Sequence, residues 1–97
     1  MKLLEDKTNL IEEIKEAKNN YTKANIEYKE TKCKLLIETD FKEELNSSRP
    51  TVDEKNAYVD LKTLELREKK ELLYNEIKYL ELKLELLNDK ISLKVEK

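Results

Sequence analysis

No glycine occurs anywhere in this chain, and its only proline is Pro50. Those two residue types supply the special backbone angles of tight turns, and a β-rich or α/β domain of 97 residues would need several such turns. One interruption permits one chain reversal, so the sequence predicts two long helices joined by a single turn.

Local signals agree with that count. From Leu3 to Leu45 the chain is dominated by Lys, Glu, Leu and Ala, all strong helix formers, with apolar residues recurring at steps of three and four. Asn46-Ser47-Ser48-Arg49-Pro50 stops the pattern. Thr51-Val52-Asp53-Glu54 then has the form of a capping box, in which the Thr51 hydroxyl accepts from the Glu54 amide and the Glu54 carboxylate accepts from the Thr51 amide. Asp53 and Glu54 also complement the positive end of the new helix. The expected boundaries are helix one at about 2–45, turn 46–51 and helix two at about 52–95, within a single domain spanning 1–97.

Each helix carries a coiled-coil seam. The first runs through Leu3, Lys7, Leu10, Ile14, Ala17, Tyr21, Ala24, Tyr28, Thr31 and Leu35; the second through Thr63, Leu66, Lys70, Leu73, Ile77, Leu80, Leu84, Leu87 and Ile91. A turn near Ser48 brings Leu10 to Leu87, Ile14 to Leu84, Ala17 to Leu80, Tyr21 to Ile77, Ala24 to Leu73, Tyr28 to Lys70 and Thr31 to Leu66. Every other layer then sets a small residue against a leucine, so the backbones approach closely there while tyrosine rings fill the layers between. The fold class expected is all-α, a two-helix antiparallel coiled-coil hairpin.

A second set of apolar positions asks for more burial than one hairpin supplies. Helix two carries Leu61, Leu72, Tyr79, Leu86 and Leu93, with Leu64 and Leu82 at the margin, about 100° or more around from its seam. Ile26, Cys33, Ile37 and Phe41 lie away from the seam of helix one. A helix with two apolar faces needs two neighbours, which predicts a homodimer in the form of a four-helix bundle, or a large contact with a partner protein.

Catalytic chemistry finds no constellation to rest on. The chain has no histidine, and Cys33, its one cysteine, has no candidate base, so Ser/His/Asp and Cys/His arrangements are ruled out. Glu12, Glu13 and Glu16, or Glu65, Glu68 and Glu71, alternate with lysines at helical spacing and read as solvated faces. No glycine-rich phosphate loop or Glu-x-x-His motif occurs, so neither cofactor nor metal is expected. Twenty basic and 22 acidic side chains give a net charge of −2, with both signs spread along the chain. That balance argues against a basic nucleic-acid binder and a membrane-surface helix. A lone cysteine, no apolar run of about 18 residues and no signal-peptide core predict a cytoplasmic protein.

The turn end gathers Thr39, Asp40, Phe41, Lys42, Leu45, Arg49, Pro50, Val52, Tyr58 and Val59, with Phe41, Arg49 and Tyr58 as candidate partner-binding residues. The alternative is that Phe41, Leu45, Val52 and Tyr58 only close the hairpin. Thr39-Asp40-Phe41, followed after a polar turn by Thr51-Val52-Asp53-Glu54-Lys55-Asn56-Ala57-Tyr58-Val59 and a Leu/Lys/Glu helix, resembles small coiled-coil hairpin proteins encoded by phages and prophages of Gram-positive bacteria. The resemblance covers about half the chain. It implies a non-enzymatic protein-binding hairpin in a bacterial host cell, acting as an inhibitor or modulator of a host defence complex, CRISPR-type or restriction, or of a nucleic-acid-processing complex. The partners expected are itself, a host protein or a protein–RNA complex. Two other readings stand beside it: a structural or assembly protein acting by self-association, and a DNA replication or recombination accessory contacting nucleic acid through tyrosines such as Tyr28 beside Lys29, Lys32 and Lys34.

Overall fold

Helix formers dominate both sides of Pro50, and the computed structural model of the protein is helical on both sides. It contains α1 (Lys2–Glu38), α2 (Phe41–Glu44), α3 (Val52–Lys62) and α4 (Leu64–Glu96). Residues 2–96 are described, with side chains over 2–94, and no strand occurs among them. Residues 1 and 97 of the expected single domain lie outside the described residues. The chain divides into two compact units, Met1–Thr22 with Glu71–Lys97, and Lys23–Lys70.

In the first unit the N-terminal part of α1 packs antiparallel on α4. Leu10, Ile14 and Ala17 of α1 join Ile77 and Leu80 of α4 in one buried cluster, with Tyr21, Leu84 and Leu87 packed against it. Leu10 borders the same groove as Leu86 and Leu87, whereas Ala17 borders one with Glu76 and Leu80. Numbers that rise along α1 therefore meet numbers that fall along α4, in the register the two seams predict. Tyr21 also faces Tyr74, ring centroids 6.1 Å apart and tilted by 52°. The seam spacing did not point to Tyr74, because it lies one residue beyond Leu73 and reaches the seam from its flank.

The second unit contains the chain reversal. Here too the partners run antiparallel: the Lys70 ammonium lies 4.5 Å over the Tyr28 ring, Lys69 Nζ is 3.8 Å from a Glu27 carboxylate oxygen, and Phe41 meets the Tyr58 ring edge-on at 5.7 Å. Lys70 sits in a mainly apolar seam, and the Tyr28 face gives its charge a partner there. Thr51 and Glu54 form the capping box: the Glu54 amide donates to the Thr51 hydroxyl at 3.1 Å and the Thr51 amide to the Glu54 carboxylate at 3.3 Å.

Two helix boundaries differ from the sequence expectation. Helix one does not continue to Leu45. It ends at Glu38, and after Thr39 the Asp40 side chain accepts from the Glu43 amide at 3.3 Å, capping the single turn α2. The cap competes with helix continuation because a short carboxylate satisfies an amide that would otherwise bond within the helix. α2 is closed at its other end by a Schellman motif, with Ser47 N–H donating to Lys42 O at 3.1 Å and Asn46 N–H to Glu43 O at 3.2 Å. Asn46, at φ 48°, takes the left-handed position that glycine usually fills.

Helix two is likewise not uninterrupted from 52 to 95, since α3 and α4 are separated at Thr63. The amides of Thr63 and Arg67 still donate to Val59 O and Thr63 O, each at 3.0 Å, so the break is a local distortion. Its cause lies in side chains that enter the helical ladder. The Thr63 hydroxyl donates to Val59 O at 2.7 Å, while Arg67 Nη2 donates to Asp60 O at 2.6 Å. Competing donors on helical carbonyls bend a helix. Val59 and Thr63 are also the most deeply buried side chains of the described set, so the distortion is packed in place.

Candidate functional site

Every seam position named from the sequence is buried or half-buried, which leaves functional contact to the residues outside the seams. On α4 these form an ordered row. Leu72, Tyr79, Leu86 and Leu93 recur every seventh residue with Leu82 between the middle two, and all five are 58 to 70% exposed. At about 100° per residue the row lies roughly 130–170° around α4 from the seam. It lies well around α4 from the seam, although Leu86, with Lys83 and Lys90 of its border, also lines the groove that α4 forms with Leu10 and Glu13 of α1 in the same unit.

The row has a charged border on each side. Glu76, Lys83 and Lys90 follow one edge, and Glu71, Lys78 and Glu85 the other; each of these side chains is exposed. Lys83 Nζ lies 5.3 Å from the Tyr79 ring centroid, which places a cation at the edge of the apolar row. Single exposed leucines are ordinary on protein surfaces, but a heptad row of them rimmed by charges of both signs has the organisation of a contact surface. Fully burying one such side chain contributes about 1.5–3 kcal/mol, so covering five that are each about two-thirds exposed contributes about 5–10 kcal/mol.

The second unit has looser apolar exposure. Leu61 and Leu64 extend the predicted stripe onto α3 and the start of α4 and are both exposed, as are Ile26, Ile37, Val52 and the free Cys33. Phe41 does not join Ile26, Cys33 and Ile37 on an outward face, as the continuous-helix reading had it. It is 8% exposed, because the break at Thr39-Asp40 redirects α2 and turns the ring onto Tyr58. Lys55 adds a cation 5.6 Å from the Phe41 centroid, and Lys62 one 5.5 Å from that of Tyr58. Of the three turn-end candidates, Phe41 and Tyr58 thus pack together and only Arg49 is exposed. Leu45 is half-buried, whereas Val52 is exposed and does not help to close this end.

Among the described residues no group of three or more His, Cys, Asp or Glu side chains converges as a metal site, and no helix is long and apolar enough to cross a membrane. Tyr28, the tyrosine nearest the Lys29/Lys32/Lys34 cluster, is half-buried with its ring under Lys70. No family model matches the sequence, and neither a curated protein nor a solved structure matches it. The α4 row is the organised surface on which a functional reading can be built.

Proposed function

We propose that this chain is a non-enzymatic, protein-binding helical module that works as a self-associated unit in the bacterial cytoplasm. The observation that carries the reading is the exposed heptad row Leu72, Tyr79, Leu86 and Leu93, with Leu82, outside the packed seam of α4. Association costs an estimated 4–15 kcal/mol in lost freedom before any net affinity appears. A single face contributing about 5–10 kcal/mol does not reliably exceed that cost, whereas two such faces covering each other contribute about 10–20 kcal/mol. The row therefore favours a partner that brings an equal apolar face, and a second copy brings one by construction.

In its most concrete form the assembled protein belongs to a phage or prophage and inhibits or modulates a host defence or nucleic-acid-processing complex. The resemblance of residues 39–59 to small phage coiled-coil proteins supports that role, and the balanced surface charge supports a protein or protein–RNA partner over naked nucleic acid. Arg49, the exposed one of the three turn-end candidates, is the side chain among them best placed to reach such a partner.

A pull-down from a bacterial host lysate at about 0.3 M salt, with and without nuclease, tests the reading; this salt leaves a screening length below the roughly 8 Å of physiological solution. A nuclease-resistant protein partner is expected, together with negligible affinity for single- or double-stranded DNA in a gel shift. Tight DNA binding with a steep salt dependence would replace this reading with that of a replication or recombination accessory. A robust homo-oligomer without further partner would leave a structural protein.

A further inference from the structure

The charges bordering the α4 row specify how a second copy sits on it, a deduction that rests on the self-association proposed above. Two helices pairing through this row bring their border residues together across the interface, and the pairing differs between parallel and antiparallel arrangements. In a parallel, in-register pair, Glu71 approaches Glu76 of the other copy and Lys78 approaches Lys83. By symmetry each contact occurs twice, giving four repulsive encounters against two attractive ones between Glu85 and Lys90. Parallel pairing is disfavoured.

An antiparallel pair centred between Leu80 and Glu81 reverses the balance. Tyr79 then packs against Leu82 of the second copy, and Leu82 against its Tyr79. On one border Glu76 faces Lys83 of the other chain, and on the opposite border Lys78 faces Glu85, each twice, so four attractive contacts flank the apolar centre. Sliding by one heptad in one direction sets Lys83 against Lys83 and Glu85 against Glu85, which offsets the two Glu76–Lys90 contacts that it gains; sliding in the other sets Glu76 against Glu76 and Lys78 against Lys78. The favoured register has its own costs at the ends: Asn75 and Asp89 fall opposite Leu86 and Leu72, and Lys90 approaches Lys69, which is already paired with Glu27. The dry, charge-matched part is central.

We infer that α4 binds α4 of a second copy antiparallel through Leu72–Leu93, with Tyr79 on Leu82 and with Glu76–Lys83 and Lys78–Glu85 as the interchain pairs that fix orientation and register. Because the row lies outside the seam, the two first units join through their α4 helices, in the order α1, α4, α4, α1. This order is a more open form of the four-helix assembly that the sequence predicts, and follows from the roughly 130–170° between the two faces of α4.

The experiment uses full-length chains in a Cys33→Ser background and reads mass and orientation separately. Light scattering on the parent gives about twice the 11.6 kDa chain mass if the proposed self-association holds. Lys83→Glu sets glutamates against each other and weakens the dimer about tenfold, and the double variant Glu76→Lys with Lys83→Glu restores it to within about threefold of the parent. Circular dichroism on each variant verifies that it remains helical. Finally, Glu76→Cys and Lys83→Cys chains are mixed and treated with a short bis-maleimide. The inference predicts cross-links between unlike chains and few between like chains. A dimer that cross-links like with like, or a charge swap that fails to rescue, overturns the antiparallel register and leaves self-association standing. A helical monomer overturns both.

Discussion

Replacing Ala17 by leucine probes the layer in which the first unit packs most closely. Ala17 is 4% exposed and belongs to the cluster of Leu10, Ile14, Ile77 and Leu80, so three added carbons must displace neighbours already in contact. Overpacking of this kind costs about 1–3 kcal/mol. Helix propensity does not mask it, since alanine and leucine are both strong formers. For a domain of 60–100 residues, 1 kcal/mol corresponds to about 4–8 °C in Tm, so the midpoint loss from Ala17→Leu should be on the order of 10 °C. Ala24, 3% exposed and two turns further on, should show a loss of the same size, and at about 10 Å separation the two costs should add. Thermal melts followed by circular dichroism at 222 nm provide the assay, with exposed Lys23→Leu as a control of like composition. If Ala17→Leu melts at or above the parent temperature, the close-approach layer is wrong and with it the register that sets Ala17 on Leu80.

Other substitutions test the ends of the helices and the seam lysine. Thr51→Ala removes the hydroxyl that accepts from the Glu54 amide and should cost about 1 kcal/mol in urea unfolding, without change in oligomeric mass. Asn46→Val forces a β-branched side chain into the left-handed region and should destabilise by about 1–2 kcal/mol, whereas Asn46→Gly should be neutral or stabilising; equal effects would refute the Schellman closure of α2. Lys70→Glu exchanges an attractive ammonium over Tyr28 for a repulsive carboxylate and should lower stability by about 1 kcal/mol, and Tyr28→Leu should make the protein indifferent to that charge.

The parts of this fold that were legible in the sequence are those written in periodic form. The seams recur without a slip from Leu3 to Leu35 and from Thr63 to Ile91, and a seven-residue repeat leaves little freedom over which face is buried. The capping box was legible for a related reason, because Thr51 and Glu54 sit at the spacing that reciprocal bonding requires. What escaped were competitions between bonds of similar strength. Asp40 and Glu43 also stand at cap spacing, but within a run of strong helix formers nothing in the pattern says that the cap prevails over continuation. At Thr63 the seam rhythm is undisturbed while the backbone is distorted, because Arg67 takes the Asp60 carbonyl from two turns away. The exposed α4 row followed from spacing alone, whereas the burial of Phe41 depended on the direction of α2 and could not be read before that break was known.

The central claim is that the second face of α4 is a protein-contact surface, and the mass of the protein in solution tests it most directly. Light scattering at micromolar concentration should return about twice 11.6 kDa for the parent chain, and Leu72→Glu with Leu86→Glu should reduce it to monomer or unfold it. A parent that is monomeric, fully helical and unchanged in mass and melting by the two glutamates would contradict the account.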